Sequence, residues 1–198
     1  MRFCSIASGS SGNCIYVGSD NTHVLVDIGI SGKKMETGLN SLELTGRDLD
    51  GILITHEHSD HIKGLGVISR KYGIPIYATA GTVDAMVRTN ALGKIPEGIF
   101  HEIQENEPFM INDLKVNPFT IPHDAAQPVG YRLEHEGHSV GIATDLGKYN
   151  DYIIENLQGL DALLLEANHD IRMLQVGKYP YYLKQRIQIG RASCRERV

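Results

Sequence analysis

The sequence predicts an α+β fold in which two mixed β-sheets stack face to face beneath outer helices. Ten short runs rich in branched, aromatic and aliphatic residues have the character of strands, and four amphipathic stretches have the character of helices. Some strand runs follow one another like hairpins, whereas others alternate with helices. This mixture favours sheets covered by helices over a doubly wound parallel sheet, and 198 residues suffice for one sizeable core.

Turn residues bound each predicted element. The strand candidates, in chain order, are 2–8, 14–19, 23–29, 50–56, 74–79, 99–104, 114–123, 129–135, 139–145 and 162–168. The helix candidates are 31–44, 60–73, 82–93 and 150–159. In the first helix candidate Met35, Leu39 and Leu42 share one stripe, and the second ends at Gly73 before Pro75.

Composition narrows the class of protein. A net charge of −5 and a pI near 6.0 give no overall basic footprint for nucleic acid. A disulfide framework has poor support, because the chain has only three cysteines, an odd number: Cys4, Cys14 and Cys194. We therefore expect no disulfide partner and a reducing compartment. The start of the chain lacks a long apolar run. We therefore expect a cytoplasmic protein that does not enter membranes.

Polar, chemistry-bearing residues recur where the apolar strand runs end. These residues are Asp27 after HVLV, His56 and His58 after GILIT, His123 after FTIP, Asp145 after GIAT, and Glu166, Asn168 and His169 after ALLL. Strand ends that converge on one crevice commonly build a binding site. We expect these ends to meet in one site, although Asp27 and Asp145, in DIG and DLG, also suit ordinary turns.

The stretch ITHEHSDHIKG predicts a metal centre. His56 and His58 face the same way on an extended strand exit, while Asp60 and His61 open the next helix. The spacing differs from the helical HExxH motif. With His123 and Asp145 added, the donors exceed what one ion needs, and their chemistry suits zinc, manganese or iron(II). We predict two divalent ions, zinc before the others, bridged by Asp145 and a water.

Such a pair of ions favours hydrolysis. Bound water has its pKa lowered from about 15.7 towards about 7, which supplies a bridging hydroxide at neutral pH. The ions would also polarise a phosphoryl or carbonyl oxygen of the substrate, and ions alone do not distinguish these two groups.

The ordered set of Asp27, the run from His56 to His61, His123 and Asp145 resembles the metallo-β-lactamase superfamily. The opening SIASGSSGNCIYV, the block ITHEHSDHIKGLGVISRKYGIPIYAT, and EANHD with YPYYLKQRI resemble its YycJ (WalJ) branch. The resemblance implies an αββα sandwich with a metal site at one edge of the sheets. It also implies phosphodiester hydrolysis on DNA by a 5′ to 3′ exonuclease.

The resemblance further implies a role for each site residue. His56, His58 and His123 would hold one ion, Asp60 and His61 the other, with Asp145 bridging and Asp27 orienting a ligand from behind. Flavodiiron relatives look like HxExD, so His58 favours a hydrolase. The candidate catalytic residues are Asp60, Asp145 and His169, the last as a phosphate contact or proton donor, although a lone histidine is often structural.

The resemblance covers residues 1–188, which we predict to form one domain, followed by a non-family tail over 189–198. Relatives continue through further elements that supply the last histidine of the second metal. We therefore expect a truncated or misassembled reading frame, a sandwich lacking its last elements, and a second metal bound weakly or a chain without activity.

Substrate contacts are less constrained by the sequence. In SGSSGN, the backbone N–H groups around Ser10, Gly12 and Asn13 could cradle a phosphate as a nest, and a tight hairpin explains the pattern equally well. Asn168 either contacts substrate or turns the chain. Alternative functions are a small-molecule ester, thioester or lactam hydrolase, or a non-catalytic metal- or nucleic-acid-binding protein. The sequence leaves the oligomeric state open.

Overall fold

A computed structural model of the protein describes residues 1–166, which form two stacked β-sheets between helices. The strands of the first sheet are β1 (Arg2–Ala7), β2 (Cys14–Gly18), β3 (His23–Val26), β4 (Gly51–Leu53), β5 (Ile76–Thr79) and β6 (Phe100–Ile103). The strands of the second sheet are β7 (Phe109–Ile111), β8 (Leu114–Thr120), β9 (Val129–His135), β10 (His138–Ala143) and β11 (Ala162–Leu165). The helices are α1 (Gly32–Asn40), α2 (Ser59–Ile62), α3 (Leu65–Tyr72), α4 (Ala80–Arg88) and α5 (Asp151–Leu157).

Both sheets are mixed, as predicted. In the first sheet the order is β1-β2-β3-β4-β5-β6, antiparallel from β1 to β3 and parallel from β3 to β6. In the second the order is β11-β10-β9-β8-β7, with the β10/β11 pair parallel and the others antiparallel. The parallel strands of the first sheet are joined through helices, because parallel neighbours need a crossover connection.

Alternating side chains of the first sheet build two cores. Ile15 and Val17 of β2 face the second sheet and pack in one cluster with residues of its strands, among them Val116 and Leu133. The intervening Tyr16 points to the opposite side of the sheet. There it belongs to a cluster drawn from the first sheet and its covering helices, which includes Leu25, Ile52, Met35, Leu39, Leu65, Ile68 and Met86.

A third, smaller cluster lies beneath α5. Phe119 of β8 and Ala143 of β10 contact Ile153 there, so this helix covers the outer face of the second sheet. The order of layers is helices, sheet, sheet, helix, and the predicted αββα sandwich is confirmed. The strand β7 was not predicted, and the predicted helix 60–73 is divided into α2 and α3.

Cys4 and Cys14 are free thiols, and Cys194 lies outside the described residues. Of the helices within residues 1–166, none has the length and apolar character that crossing a bilayer requires.

Candidate metal centre

The metal-ligand candidates meet where strands of both sheets end. Asp27 follows β3, His56 follows β4 and begins the loop that leads into α2, His123 follows β8, and Asp145 follows β10. His58 lies on the same loop as His56 and precedes α2. Two sets of ring nitrogens and carboxylate oxygens lie close enough to hold an ion: His56, His58 and His123, and His56, His61 and Asp145.

The first set presents three imidazoles to one point. His58 Nδ1 lies 3.1 Å from His56 Nε2 and 3.1 Å from His123 Nε2. A tetrahedral zinc ion with Zn–N distances of about 2.0–2.1 Å holds its ligands about 3.3 Å apart, close to these separations. One ring nitrogen carries at most one proton, so His58 cannot donate to both neighbours. The donor set therefore fits a cation at the point where the three nitrogens face one another.

The second set places a carboxylate between two imidazoles. Asp145 Oδ2 lies 2.8 Å from His61 Nε2 and 3.5 Å from His56 Nε2, and the Asp145 side chain is almost fully buried. Asp60 Oδ2 is 3.7 Å from His61 Nε2, and its side chain is 31% exposed. His56 belongs to both sets, so the two candidate ion positions are neighbours that share one ligand residue. The geometry thus brings together all six predicted ligands, with Asp60 at the solvent side.

Burial and neighbouring charges shift the pKa values of the imidazoles in different directions. Burial, reinforced by the other imidazoles, holds the pKa of His56 well below its usual range. Burial also lowers the pKa of His123 to about 4, although Asp145 opposes this shift. Burial alone would lower the pKa of His61, but the carboxylates of Asp27 and Asp145 raise it to about 10. At neutral pH His56 and His123 therefore keep a lone pair that a metal requires.

Asp27 lies behind the ligands rather than among them. Its carboxylate is fully buried, and Oδ2 lies 2.8 Å from Nδ1 of His61, the ring nitrogen opposite the one that faces Asp145. A carboxylate there fixes the tautomer and the direction of the ring. Asp27 and Asp145 both adopt left-handed φ values, of 62° and 56°. Such values are uncommon outside glycine and occur mostly for asparagine and aspartate.

Thr55 connects Asp27 to both ring systems, and sequence reasoning missed it. Its backbone N–H donates to Asp27 Oδ1 at 2.9 Å, and its hydroxyl donates to Asp27 Oδ2 at 2.8 Å. The same hydroxyl oxygen lies 3.0 Å from His56 Nδ1 and can accept its proton, which leaves the lone pair of His56 Nε2 directed at the site. The signal in the sequence was a hydroxyl residue directly before His56.

We expect Thr55→Val to weaken the site without changing its shape. The substitution leaves a buried carboxylate and a ring N–H without their partner, which costs about 1–3 kcal/mol of the free energy of unfolding. Loss of a group that orients a ligand typically lowers metal affinity about 10- to 100-fold. Calorimetric titration with zinc measures the affinity. Thr55→Ser keeps the hydroxyl and should restore the affinity, and Thr120→Val, the same change at an exposed strand position, is the control. An unchanged zinc affinity in Thr55→Val would contradict this role.

The glycine-serine loop between β1 and β2 packs against the metal loop, the segment from His56 to His61 that carries four of the predicted ligands. The N–H of Gly12 donates to Gly9 O at 2.8 Å, and the N–H of Asn13 donates to Asp60 O at 2.8 Å. These two amides are already satisfied, which differs from the predicted phosphate nest. Ser10 is exposed at the tip of the loop, whereas the Asn13 side chain is buried with Nδ2 3.0 Å from His61 Nε2.

The strand end after β11 is described only in part. Glu166 is buried, and its backbone bonds to Ala143 and Leu146 hold this segment beside Asp145. The predicted substrate contacts His169 and Asn168 lie outside the described residues, as does the predicted tail over 189–198. Their roles stay predictions.

Comparison with known proteins identifies the family of the chain. A family model described as "Beta-lactamase superfamily domain" matches residues 22–186. The chain is 41% identical over 187 residues to the exodeoxyribonuclease YycJ of Bacillus anthracis, which covers 94% of this chain and 70% of that protein. It is 40% identical over 187 residues to the exodeoxyribonuclease WalJ of Streptococcus pneumoniae serotype 2 strain D39, with the same shares of 94% and 70%.

Solved structures of low sequence identity to this chain have the same fold. The zinc-bound PqqB of Methylobacterium extorquens superposes with a TM-score of 0.67 at 19% identity, covering 85% of this chain and 64% of that one. The family match spans most of the chain, and the two relatives share its sequence over nearly its whole length. The chain therefore belongs to the metallo-β-lactamase superfamily, in the branch that contains YycJ and WalJ.

Proposed function

We propose that the protein is a metal-dependent phosphodiesterase that degrades DNA, of the 5′ to 3′ exonuclease type. The observation that carries the proposal is the cluster of three imidazole nitrogens, with His58 Nδ1 3.1 Å from each of the other two, beside the buried Asp145 carboxylate. The relatives at 41% and 40% identity are exodeoxyribonucleases, which supports DNA as the substrate. The polarity rests on the sequence resemblance alone.

The resemblance to the family and the chemistry of the donors support one assignment of the ligands to two ions. His56 Nε2, His58 Nδ1 and His123 Nε2 would hold one divalent ion, and His61 Nε2 with Asp60 the other, with Asp145 between them. Imidazole and carboxylate donors fit zinc, and they also accept manganese or iron(II). When bound, the ions would supply an ionised water at neutral pH and positive charge for the reacting phosphate.

The remaining residues hold these ligands in place. Asp27 and Thr55 direct the far nitrogens of His61 and His56, so that both Nε2 atoms face the site. Asp145 is the candidate for orienting the attacking water, because its buried carboxylate lies 2.8 Å from His61 Nε2 and 3.5 Å from His56 Nε2, the nitrogen that belongs to both sets. Protonation of the leaving oxygen by His169 is proposed from the resemblance and stands apart from the described geometry.

The cellular setting and the extent of the domain are also proposed. A DNA substrate and the free thiols of Cys4 and Cys14 support a cytoplasmic location. The family match over residues 22–186 and the pairing of β1 with β2 support one domain over residues 1–188.

Metal analysis combined with a nuclease assay tests the function. With zinc in excess, so that a weakly held second ion is also bound, we expect two ions per chain by plasma mass spectrometry. We expect cleavage of 5′-end-labelled duplex DNA, loss of cleavage on chelation, and its return with zinc or manganese. His58→Ala should lose an ion and the activity, because His58 faces both neighbouring imidazoles. The exposed His138→Ala is the matched control and should keep both.

Two outcomes would replace the proposal. Turnover of a small ester or thioester without DNA cleavage, under the same metal, would identify a small-molecule hydrolase. One ion or none, with no hydrolysis of either substrate, would identify a non-catalytic binding protein. A His58→Ala variant that cleaves DNA as fast as the wild type would show that the activity arises elsewhere.

A further inference from the structure

Backbone hydrogen bonds hold Asn13 against the metal loop. Its N–H donates to the carbonyl of Asp60 at 2.8 Å, and its carbonyl accepts from the N–H of Gly29 at 2.7 Å. The residue is fully buried, although it follows an exposed loop tip. Its side chain therefore has a fixed starting point and little freedom to turn away from the site.

The orientation of the Asn13 carboxamide is also determined. The N–H of Gly9 donates to Oδ1 at 3.1 Å, so the oxygen of the amide faces Gly9. A rotated amide would set two donors against each other there. Nδ2 consequently points into the site, where it lies 3.0 Å from His61 Nε2.

His61 Nε2 cannot serve as the acceptor for Asn13 in the loaded site. That nitrogen is the ligand atom assigned to the second ion, and a lone pair given to an ion no longer accepts a hydrogen bond. Asn13 Nδ2 would then be a buried donor beside the ligand nitrogen of His61, in need of another acceptor. Buried donors without acceptors are costly, so an incoming oxygen atom is favoured at this position.

We infer that Asn13 Nδ2 donates a hydrogen bond to a non-bridging oxygen of the scissile phosphate, on the side of the site occupied by His61. The inference rests on the proposed phosphodiesterase function. A donor held rigidly in a buried site strengthens its bond to a phosphate oxygen as negative charge develops there. Asn13 thereby contributes through its side chain rather than through the backbone nest that the sequence suggested.

Two variants separate this donor from a structural role. Asn13→Ala removes the whole amide, whereas Asn13→Asp keeps an oxygen for the Gly9 N–H and replaces only the donor. The exposed Asn40→Asp makes the same amide-to-carboxylate change at the end of α1 and is the matched control. Metal content is measured first, and thymidine 5′-monophosphate is then titrated calorimetrically into the ion-loaded protein.

We expect both Asn13 variants to keep the wild-type metal content and to bind thymidine 5′-monophosphate at least about ten-fold more weakly. On DNA, kcat/KM should fall about 10²- to 10³-fold, chiefly through kcat, because the bond strengthens as charge develops. Asn40→Asp should match the wild type in all three measurements.

Wild-type nucleotide affinity and kcat in both Asn13 variants would overturn the inference while leaving the proposed function intact. Loss of metal or of the fold in both variants would also overturn it, because Asn13 would then support the ligands instead of the substrate. If the wild-type protein neither binds the nucleotide nor cleaves DNA, the proposed function itself fails and the inference falls with it.

Discussion

Asp145→Ala is expected to abolish hydrolysis and to lower the metal content of the protein. Asp145 Oδ2 lies 2.8 Å from His61 Nε2 and 3.5 Å from His56 Nε2, so its removal takes a negative charge from beside these two ligand nitrogens. The remaining imidazoles would face one another without the anion that balances two divalent ions. We expect DNA cleavage to fall by about 10³-fold or more, and the ion count to drop from two towards one.

The variant Asp145→Asn separates the effect of losing the charge from the effect of losing the side-chain volume. This variant keeps the volume and one oxygen but removes the charge that faces His61, so we expect the fold to be retained with a lower free energy of unfolding while activity is lost. The exposed Asp20→Asn removes one negative charge from a surface turn and should change neither the ion count nor the rate. Two tightly bound ions and wild-type cleavage in Asp145→Ala would refute a bridging role for this carboxylate.

The ligand set was predictable because four of the six ligands follow apolar strand runs, and Asp60 and His61 begin the helix just after one of them. His56 and His58 lie two residues apart after β4, and the alternation of side chains on an extended segment directs both to one side. His123 and Asp145 follow β8 and β10 of the other sheet, and the strand ends of both sheets meet at one edge. Short apolar runs rich in β-branched and aromatic residues also identified most strands, which placed these ends correctly.

The supporting residues were harder to predict, because their roles depend on contacts between distant segments. Thr55 looks like an ordinary strand residue, and only the approach of β3 brings Asp27 to its hydroxyl. The sequence left the loop of Asn13 open between a phosphate nest and a tight hairpin, and the Asn13 N–H donates to the carbonyl of Asp60. The strand β7 is only three residues long, and its one buried residue, Ile111, leaves too short a pattern for a strand prediction.

Close backbone packing explains how the loops of the site keep their positions. The segment after β3 passes between the loop of Asn13 and the loop of Asp60, and hydrogen bonds join it to both: Gly29 N–H to Asn13 O at 2.7 Å and Ile28 N–H to His61 O at 2.8 Å. A Cβ built on Gly12 would lie 2.3 Å from Gly29 O. Three loops thus stack at distances that exclude side chains between them.

Gly29→Ala is therefore expected to be the most destabilising single-methyl change at the site. A Cβ at Gly29 would lie 1.6 Å from the Asp60 carbonyl oxygen and 2.3 Å from its carbon, far inside van der Waals contact with backbone atoms. Relief requires the Asp60 loop to move, because a backbone carbonyl cannot rotate away as a flexible side chain can. We expect a loss of about 3 kcal/mol or more in the free energy of unfolding, a fall of about 6–12 °C in Tm.

Thermal unfolding followed by circular dichroism measures this loss, and metal analysis of the folded protein shows whether His61 has moved with Asp60. Gly32→Ala, at the first residue of α1, is the matched control. The nearest atoms to its Cβ would be side-chain atoms: Ile68 Cδ1 at 3.1 Å, and Ile68 Cγ1 and Val67 Cγ1 at an ordinary contact distance of 3.8 Å. That variant should stay within about 0.5 kcal/mol of the wild type, because a side-chain end yields easily and alanine favours helices. Equal stability and equal metal content in the two variants would mean that the loops can separate without cost. The ligands would then owe their positions to the ions rather than to the backbone beneath them.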